Sequence, residues 1–196
     1  MKKLTFFLII MLFNSMAFSQ TTDSLINGAI GLKFGMSQSK VKTIIQSKGG
    51  ILDKTSNQEF GICLTYKKLR FLSNDVYFTH FKFYKDSLFS ITFCFIVDAD
   101  GFTQAKYDAL KEKIENKYGN GDCFRYFDSP YYDGDGYEMS AVSQGKAHIS
   151  CIWTDINENA ISLAIKESLL IMLEYQSTNL IDKVIKNVES KQMKDY

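Results

Sequence analysis

Carboxylate and aromatic side chains are concentrated between Gly119 and Glu138, and these are the residue types that could do chemistry in this chain. Arg125 is the only base in that stretch. Two carboxylates at a defined separation can act as acid and base on a glycan, as glycoside hydrolases require. Asp133 and Asp135 are the candidates for such a pair, so a glycan-directed hydrolase is one hypothesis for the segment 122–138.

The same segment holds oxygen atoms that could bind Ca²⁺. Asp133-Gly134-Asp135-Gly136 is followed by Glu138. An EF-hand loop, however, needs a third oxygen ligand before its glycine and a bidentate glutamate at position twelve, and this pattern is not met. Because Asp-Gly pairs are turn formers first, the pattern favours a solvated turn, and no metal site is predicted.

The aromatic rings of the segment are typical of a contact surface. Tyrosine offers a large, stiff contact area with a polar tip and is enriched at protein interfaces. The residues predicted to form such a surface are Phe124, Tyr126, Asp128, Tyr131, Tyr132, Asp133, Asp135 and Tyr137. A second interpretation stays open, in which Phe124, Phe127 and Tyr131 fold back and cover the apolar edge of a sheet.

Motifs for nucleophilic catalysis and phosphate binding are missing from the sequence. No Gly-x-Ser-x-Gly occurs, and no glycine-rich loop opens a helix after a strand. The two histidines, His80 and His148, fall in separate predicted strands. Cys151 is near His148 in sequence, but their spacing on one strand places them on opposite faces. We therefore predict no catalytic residue and no cofactor.

Four cysteines, Cys63, Cys94, Cys123 and Cys151, allow three disulfide pairings in an exported chain. Cys63 and Cys94 each fall on the more polar face of a predicted strand. If those strands flank a third, the two residues are about 9–10 Å apart, which exceeds the 4.4–6.8 Å Cα separation of a disulfide. Cys151 alternates with Trp153 as a core residue does. Disulfides and unpaired buried thiols remain alternatives.

The elements that would position these side chains follow from hydrophobic periodicity. In the first half, a helix is predicted after Ser37, because Val41 and Ile45 recur at helical spacing before Gly49-Gly50 ends it. Alternating apolar residues then predict three strands, over 60–66, 76–84 and 89–97.

The second half shows a similar succession. A helix is predicted over 103–118, with Gly119 at its end, and a long loop over 119–137 follows it. Strands are predicted over 138–142, 147–153, 160–166 and 169–175, and a last helix over 178–189.

A short internal echo suggests that the two halves are related. Lys85-Asp86-Ser87-Leu88-Phe89 matches Lys166-Glu167-Ser168-Leu169-Leu170, although turns favour such residues in any case. The predicted fold is α+β: two helix-plus-antiparallel-β-meander units in tandem with a C-terminal helix. The first unit covers 20–101, and the second covers 102–196 with the inserted loop 119–137.

The first half resembles a known family. Gly31-x-x-Phe34-Gly35-Met36-Ser37 leads into a short helix and a three-stranded meander, a pattern that resembles the small SmpA/OmlA-type (BamE-like) lipoproteins of outer-membrane assembly. Doubled, it is similar to the β-lactamase inhibitor protein family, which has tandem helix-plus-sheet units. The resemblance implies a protein that binds other proteins through its surface and carries no catalytic residues. The chain departs from the first family because it lacks the lipidated cysteine.

Residues 1–19 have the pattern of a cleaved signal peptide. A basic start and an apolar run precede Ala17 and Ser19, small residues at positions −3 and −1 of a cut before Gln20. The run is shorter than the ~20 residues that span a bilayer. We expect export through the inner membrane to the periplasm or the medium, and no lipid anchor, because no cysteine lies near the cut.

Composition narrows the class of partner. Without residues 1–19 the chain has 21 basic and 22 acidic residues, a net charge of −1. A neutral balance offers no electrostatic footprint for nucleic acid, and no second segment is long and apolar enough to cross a membrane. We expect an exported, non-enzymatic binding protein of the cell envelope whose partner is another protein or an envelope component.

An apolar-ligand carrier is a further alternative to the binding protein. It would need a cavity between helix and sheet, lined by residues such as Phe93, Phe95, Tyr107 and Leu110. At these spacings the same residues are more simply a packed core.

Overall fold

The structure is a computed structural model that describes residues 21–22, 24–59, 61–97 and 102–192. The signal peptide predicted over 1–19 lies outside the described residues. The same holds for Phe60, at the start of the first predicted strand, and for 98–101, ahead of the second helix.

The described residues contain four helices and eleven strands. The helices are α1 (Gln38–Ser47), α2 (Thr103–Tyr118), α3 (Glu138–Ser143) and α4 (Thr178–Gln192). The strands are β1 (Thr21–Thr22), β2 (Ile51–Gln58), β3 (Gly61–Lys67), β4 (Leu69–Phe71), β5 (Asn74–Val76), β6 (Phe78–Tyr84), β7 (Ser87–Phe95), β8 (Asp122–Phe127), β9 (Ala147–Asp155), β10 (Ala160–Ile165) and β11 (Ile171–Gln176).

Nine of these strands form one large sheet in the order β1-β9-β10-β11-β7-β6-β3-β2, with β8 also paired to β9. Neighbouring strands run antiparallel except β1, which is parallel to β9. Strands β1 and β8 share the outer edge of β9, because β8 pairs with 147–152 and β1 with Thr154 and Asp155. The fold is therefore mixed α/β, with four helices and a large antiparallel sheet.

Side chains on the two faces of this sheet differ in character. On β7 and β11, Phe93 and Leu173 lie opposite each other and are fully buried in a single hydrophobic core. We call their side of the sheet the core face. One residue further along, Thr92 and Glu174 lie opposite each other on the other side, which we call the polar face.

The helix predicted after Ser37 and the helix predicted over 103–118 are both confirmed. Val41 and Ile45 of α1 are buried in the core, as their spacing predicts. Ser37 has an extended backbone ahead of α1, although its side chain makes no capping hydrogen bond. Helix α2 buries Tyr107 and three further apolar residues of one face, and it ends at Gly119 with a φ of 80°.

The prediction of a strand over 138–142 is wrong, because Glu138–Ser143 form helix α3. Met139 and Val142, three residues apart, pack against the core, and Ala141 is fully buried. In so short a segment the alternation of Met139 with Ala141 satisfies a strand period, while Met139 and Val142 satisfy a helix period. Only packing decides between the two.

Several further strands differ from the sequence expectation, because β1, β4 and β5 were not predicted as strands, and neither were β2 and β8. The segment 119–137, expected as a loop, begins with β8, which pairs with β9 from Asp122 to Phe127. Strand β2 was not expected, because its side chains are exposed along almost its whole length and show no apolar alternation.

Candidate contact surface on strand β8

A disulfide fixes strand β8 to its neighbour. Cys123 and Cys151 lie directly opposite each other on β8 and β9, with a Cα–Cα distance of 4.0 Å. Cys63 and Cys94 are free and buried, and they lie on strands that flank β6, which agrees with the expectation that they cannot pair. The sequence could not choose among the pairings because β8 itself was not predicted.

An ion pair links β8 to the loop that follows it. Arg125 donates from Nε to both carboxylate oxygens of Asp133, at 2.9 and 3.0 Å, and from Nη2 to Oδ1 at 2.6 Å. These hydrogen bonds lower the pKa of Asp133 and raise that of Arg125. A fork of this kind fixes orientation as well as distance, so the loop is held against the strand.

Asp135 and Glu138 shape the turn of the same loop. Asp135 accepts the backbone N–H groups of Tyr132 at 3.1 Å and Tyr137 at 2.7 Å, and Glu138 accepts that of Gly134 at 3.0 Å. Side chains that bind backbone N–H groups in this way form turns rather than ligand sites. In the described part of the chain, no group of three His, Cys, Asp or Glu side chains is placed to hold a metal ion.

Two tyrosines of the segment form hydrogen bonds through their hydroxyl groups. Tyr126 donates from its hydroxyl to Asp128 Oδ1 at 2.5 Å, and this hydrogen bond raises the pKa of Tyr126. Tyr131 is half-buried, accepts a hydrogen bond from Gln144 at 2.8 Å and lies under the ammonium of Lys146. It is therefore a structural residue of the loop.

Exposure decides between the two interpretations of the rings. The exposed fractions are 52% for Phe124, 62% for Tyr126, 66% for Tyr132 and 63% for Tyr137. Phe127, by contrast, packs against the core. The fold-back interpretation thus describes Phe127 and part of Tyr131, whereas the other four rings are exposed as a contact surface requires.

The exposed residues do not form one face. Phe124 and Tyr126 pair with Ser150 and His148 on the polar face of the sheet. Arg125, between them, points to the opposite side, where it holds Asp133. Strand β8 therefore separates the predicted set into a strand part and a loop part.

One residue of the strand part was missed by the sequence interpretation. Ile152 of β9 is 39% exposed, pairs with Asp122 and lies diagonally next to Phe124 on the polar face. We call Phe124, Tyr126 and Ile152 the aromatic patch. Ile152 could have been found from the sequence, because it lies between Cys151 and Trp153, on the face that their alternation assigns to solvent.

The polar face also carries a cysteine–histidine contact. Nδ1 of His80 lies 3.9 Å from Sγ of Cys63 and 3.0 Å from Oγ1 of Thr65. Burial raises the pKa of Cys63 and lowers that of His80. Both shifts favour the neutral forms, whereas a reactive thiolate needs a lowered thiol pKa. The pair thus gives no activated nucleophile.

A half-buried ion pair lies at the centre of the polar face. Lys82 Nζ is 2.9 Å from Glu174 Oε1, which also accepts hydrogen bonds from the hydroxyls of Ser90 and Thr92. Burial alone would raise the pKa of Glu174, but Lys82 and these hydrogen bonds together hold it below its ordinary value. Oε1 of Glu174 therefore joins three strands, β6, β7 and β11.

The residues that a carrier would need as a cavity lining are core residues. Phe93, Phe95, Tyr107 and Leu110 are at most 2% exposed and belong to the hydrophobic core. The ring of Phe71 stacks on Phe93 at 4.1 Å. This agrees with a packed core at these positions.

Comparison with known proteins gives no relative: no family model matches the chain, and neither does any curated protein or solved structure. The function therefore has to be inferred from the contacts and exposure of the chain's own residues. Those contacts single out β8 and the aromatic patch.

Proposed function

We propose that this chain is an exported, non-enzymatic binding protein of the cell envelope, and that it contacts its partner through strand β8 and the aromatic patch. The observation that carries the proposal is the exposure of Phe124 and Tyr126 on a strand fixed by a disulfide and by the Arg125 ion pair. Large exposed rings are a liability without a partner. A partner in contact with them would remove that liability.

Rigidity of the strand supports a binding role. Association is weakened by the entropy lost when mobile groups become ordered, so a surface that is already ordered binds more tightly for the same contacts. The Cys123–Cys151 disulfide and the fork between Arg125 and Asp133 order β8 before any partner arrives. The aromatic patch therefore presents its rings at little further cost.

Two alternative functions have less support. Asp133 is bound to Arg125 and Asp135 to two backbone N–H groups, so both carboxylates serve the loop instead of facing a shared substrate. The carrier would need space where Phe93 and Tyr107 are packed. We therefore do not propose either.

We further propose that the chain consists of two helix-plus-meander units in tandem. Two orders support this: β2-β3-β6-β7 follows α1, and β8-β9-β10-β11 follows α2. The units would meet where β7 pairs antiparallel with β11. The echoed turns around Lys85 and Lys166 both precede the last strand of a unit. The doubled pattern is similar to that of the β-lactamase inhibitor protein family, and this resemblance would imply a chain that binds other proteins through its surface.

In the described part of the chain, none of the helices has both the length and the apolar character needed to cross a bilayer.

The export proposal is tested separately, by the mass of the protein recovered outside the cytoplasm. Cleavage as predicted leaves Gln20 as the first residue. Recovery of the uncleaved chain inside the cell would contradict it.

The binding proposal is tested with a double variant, Phe124→Ala with Tyr126→Ala. The immobilised protein is incubated with an envelope fraction of the producing cells, and retained proteins are identified by mass spectrometry. We expect the variant to lose a partner that the wild type retains. Point substitutions are required, because deletion of 124–135 would remove four of the six residues of β8.

Tyr77→Ala is the matched control. Tyr77 is 51% exposed, which is close to Phe124, but it adjoins β6 instead of β8. The control should retain the same partner. Equal retention by the double variant and the wild type would show that the aromatic patch is not the contact surface.

A further inference from the structure

The outer edge of β8 has unpaired backbone groups. In an antiparallel pair, residues alternate between hydrogen-bonded pairs and closer pairs that are not hydrogen-bonded. The 4.0 Å Cα distance between Cys123 and Cys151 marks the close kind. The N–H of Asp128 donates to Lys146 O at 2.7 Å, which marks the hydrogen-bonded kind. The two observations give the same alternation of hydrogen-bonded and non-hydrogen-bonded pairs along β8 and β9.

It follows that Cys123, Arg125 and Phe127 direct their N–H and C=O groups away from β9. Within the described residues, β8 has no neighbour on that side, and none of these six groups has a hydrogen-bond partner there. A straight row of such groups is a template for a further strand.

Natural sheets usually protect such an edge with lysine, proline or a bulge. Strand β8 has no lysine or proline, and its pairing with β9 is continuous over all six residues. Of its two charged residues, Asp122 pairs with Ile152 at the start of the strand, and Arg125 is neutralised by Asp133. The edge is therefore both rigid and open.

The surroundings of β8 indicate the chemistry of an added strand. The rings of Phe124 and Tyr126 offer apolar contact to every second side chain of such a strand on the polar face. Residues 119–146 contain five acidic and two basic residues, a net charge of −3. This charge attracts a basic segment and disfavours a second copy of the same surface.

We infer that β8 accepts an extended, basic segment of another protein as an additional strand of the sheet. The inference rests on the proposed function, since it names the kind of partner that the same surface binds. The segment pairs through its backbone with Cys123, Arg125 and Phe127. Its apolar side chains lie on the aromatic patch, and its lysines or arginines face the carboxylates around β8.

The probe for this inference is a random dodecapeptide library displayed on phage and selected on the purified chain. We expect enriched peptides in which β-branched or aromatic residues alternate with lysine or arginine. Their binding should weaken as ionic strength rises, because part of the attraction is between exposed charges. Enrichment of acidic or non-alternating peptides would overturn the inference.

Backbone pairing is then tested by N-methylation along the enriched peptide. Only every second residue of an added strand faces β8, so N-methyl groups at alternate positions should weaken binding at least tenfold and those between should not. Tyr77→Ala, as the control protein, should bind the peptide as the wild type does.

The outcomes separate this inference from the proposed function. If every N-methylated peptide binds as well as the parent, contact is through side chains and the added strand is excluded. Failure to enrich any peptide, with partner capture still dependent on Phe124 and Tyr126, overturns only the added strand. A dimer of the chain in sedimentation that Tyr126→Ala dissociates would identify a second copy as the occupant and also overturn the inference.

Discussion

Two of the outer strands of the sheet, β2 and β8, differ in nearly every property that governs an exposed edge. Strand β2 is polar over most of its length, includes Lys54 and has a break in register between Leu52 and Lys54. Strand β8 is aromatic, continuous in register and cross-linked to its neighbour. Charge and irregularity are the usual protection of an edge against unwanted pairing.

The two edges therefore differ in how they would receive a further strand. Polar residues and a register shift discourage pairing along β2. Strand β8 keeps a continuous register and exposes the rings of Phe124 and Tyr126 beside its open edge. Changes to β8 should therefore have larger effects than changes to β2.

Loss of the Cys123–Cys151 disulfide should lower the thermal stability more than the other changes, because it removes a covalent link between β8 and β9. Among the described residues, β2 has no such link. Cys123→Ala opens a loop with a sequence separation of 28, for which the chain-entropy treatment gives about 3.6 kcal/mol. For a chain of this size, the thermal midpoint should fall by about 7–14 °C. Differential scanning calorimetry measures it.

A reductant provides the control for Cys123→Ala. It should lower the thermal midpoint of the wild type towards that of the variant and leave the variant unchanged, because Cys63 and Cys94 are already free. A variant midpoint within about 1 °C of the wild type would mean that β8 is held by its other contacts alone.

Tyr126→Lys should make β8 resemble the protected edge. Since Tyr126 is exposed, the thermal midpoint should change by less than about 2 °C, while affinity for the selected peptide should fall at least tenfold. Tyr126→Glu separates ring from charge, because it too removes the aromatic contact but attracts a basic peptide. Tighter peptide binding by Tyr126→Glu than by the wild type would show that charge, and not the ring, dominates the contact.

Acid should loosen the loop from β8, because protonation of Asp133 removes its ion pair with Arg125. The pKa of Asp133 is lowered from its ordinary value of 3.8 by Arg125. The stabilisation is therefore complete above pH 3.8 and is lost as pH falls through the lower folded pKa. Its size is less than about 1 kcal/mol, because Asp133 is exposed and the pair is screened by solvent.

Nuclear magnetic resonance of the Arg125 Nε–H group follows this transition directly. Its protection from exchange should decrease on acidification in the wild type. In Asp133→Asn, protection should be low at every pH. Protection that persists in the wild type after Asp133 has become protonated would contradict the assignment of the ion pair to holding the loop.

The smallest effect is expected at β2, where Lys67 of β3 pairs with Asp53 at 2.7 Å. Both side chains are largely exposed, and such pairs contribute little. Asp53→Asn should leave the thermal midpoint unchanged within about 1 °C. A larger decrease than that of Asp133→Asn would reverse the comparison between the two edges.

Periodicity was a sufficient guide to the core of this fold. Helix α2 was predicted with the bounds that the structure shows, because its apolar residues repeat at helical spacing and Gly119 ends it. Strands β7, β9 and β10 alternate apolar and polar residues and were found within a few residues of their bounds. Burial of one face of a helix or strand produces such a periodic pattern in the sequence.

The candidate surface could be predicted only in part. The segment 122–138 stood out because it concentrates rings and carboxylates. Its division by β8 could not be foreseen, since the strand is short and its neighbour lies more than 20 residues away in sequence. The pairing of Cys123 with Cys151 and the contact of Arg125 with Asp133 both follow from that strand.

A turn in the first half shows the same limit. Leu72 and Ser73 connect β4 to β5 with positive φ values of 49° and 64°, a conformation that sequence rules assign to glycine or asparagine. Lys113 of α2 and Asn74 both donate hydrogen bonds to the carbonyl of Leu72. A helix residue 41 positions away in sequence therefore stabilises a turn whose own residues do not favour this conformation.

Elements with a buried face can be read from the sequence, since burial imposes a period that can be counted. The positions where rings and acids are concentrated can be read in the same way. The edges of the sheet depend on tertiary pairing, because no buried face imposes a period there. There, pairing across β8 and β9 chose the disulfide, placed Phe124 and Tyr126 in solvent and left one row of backbone groups without a partner in the described chain.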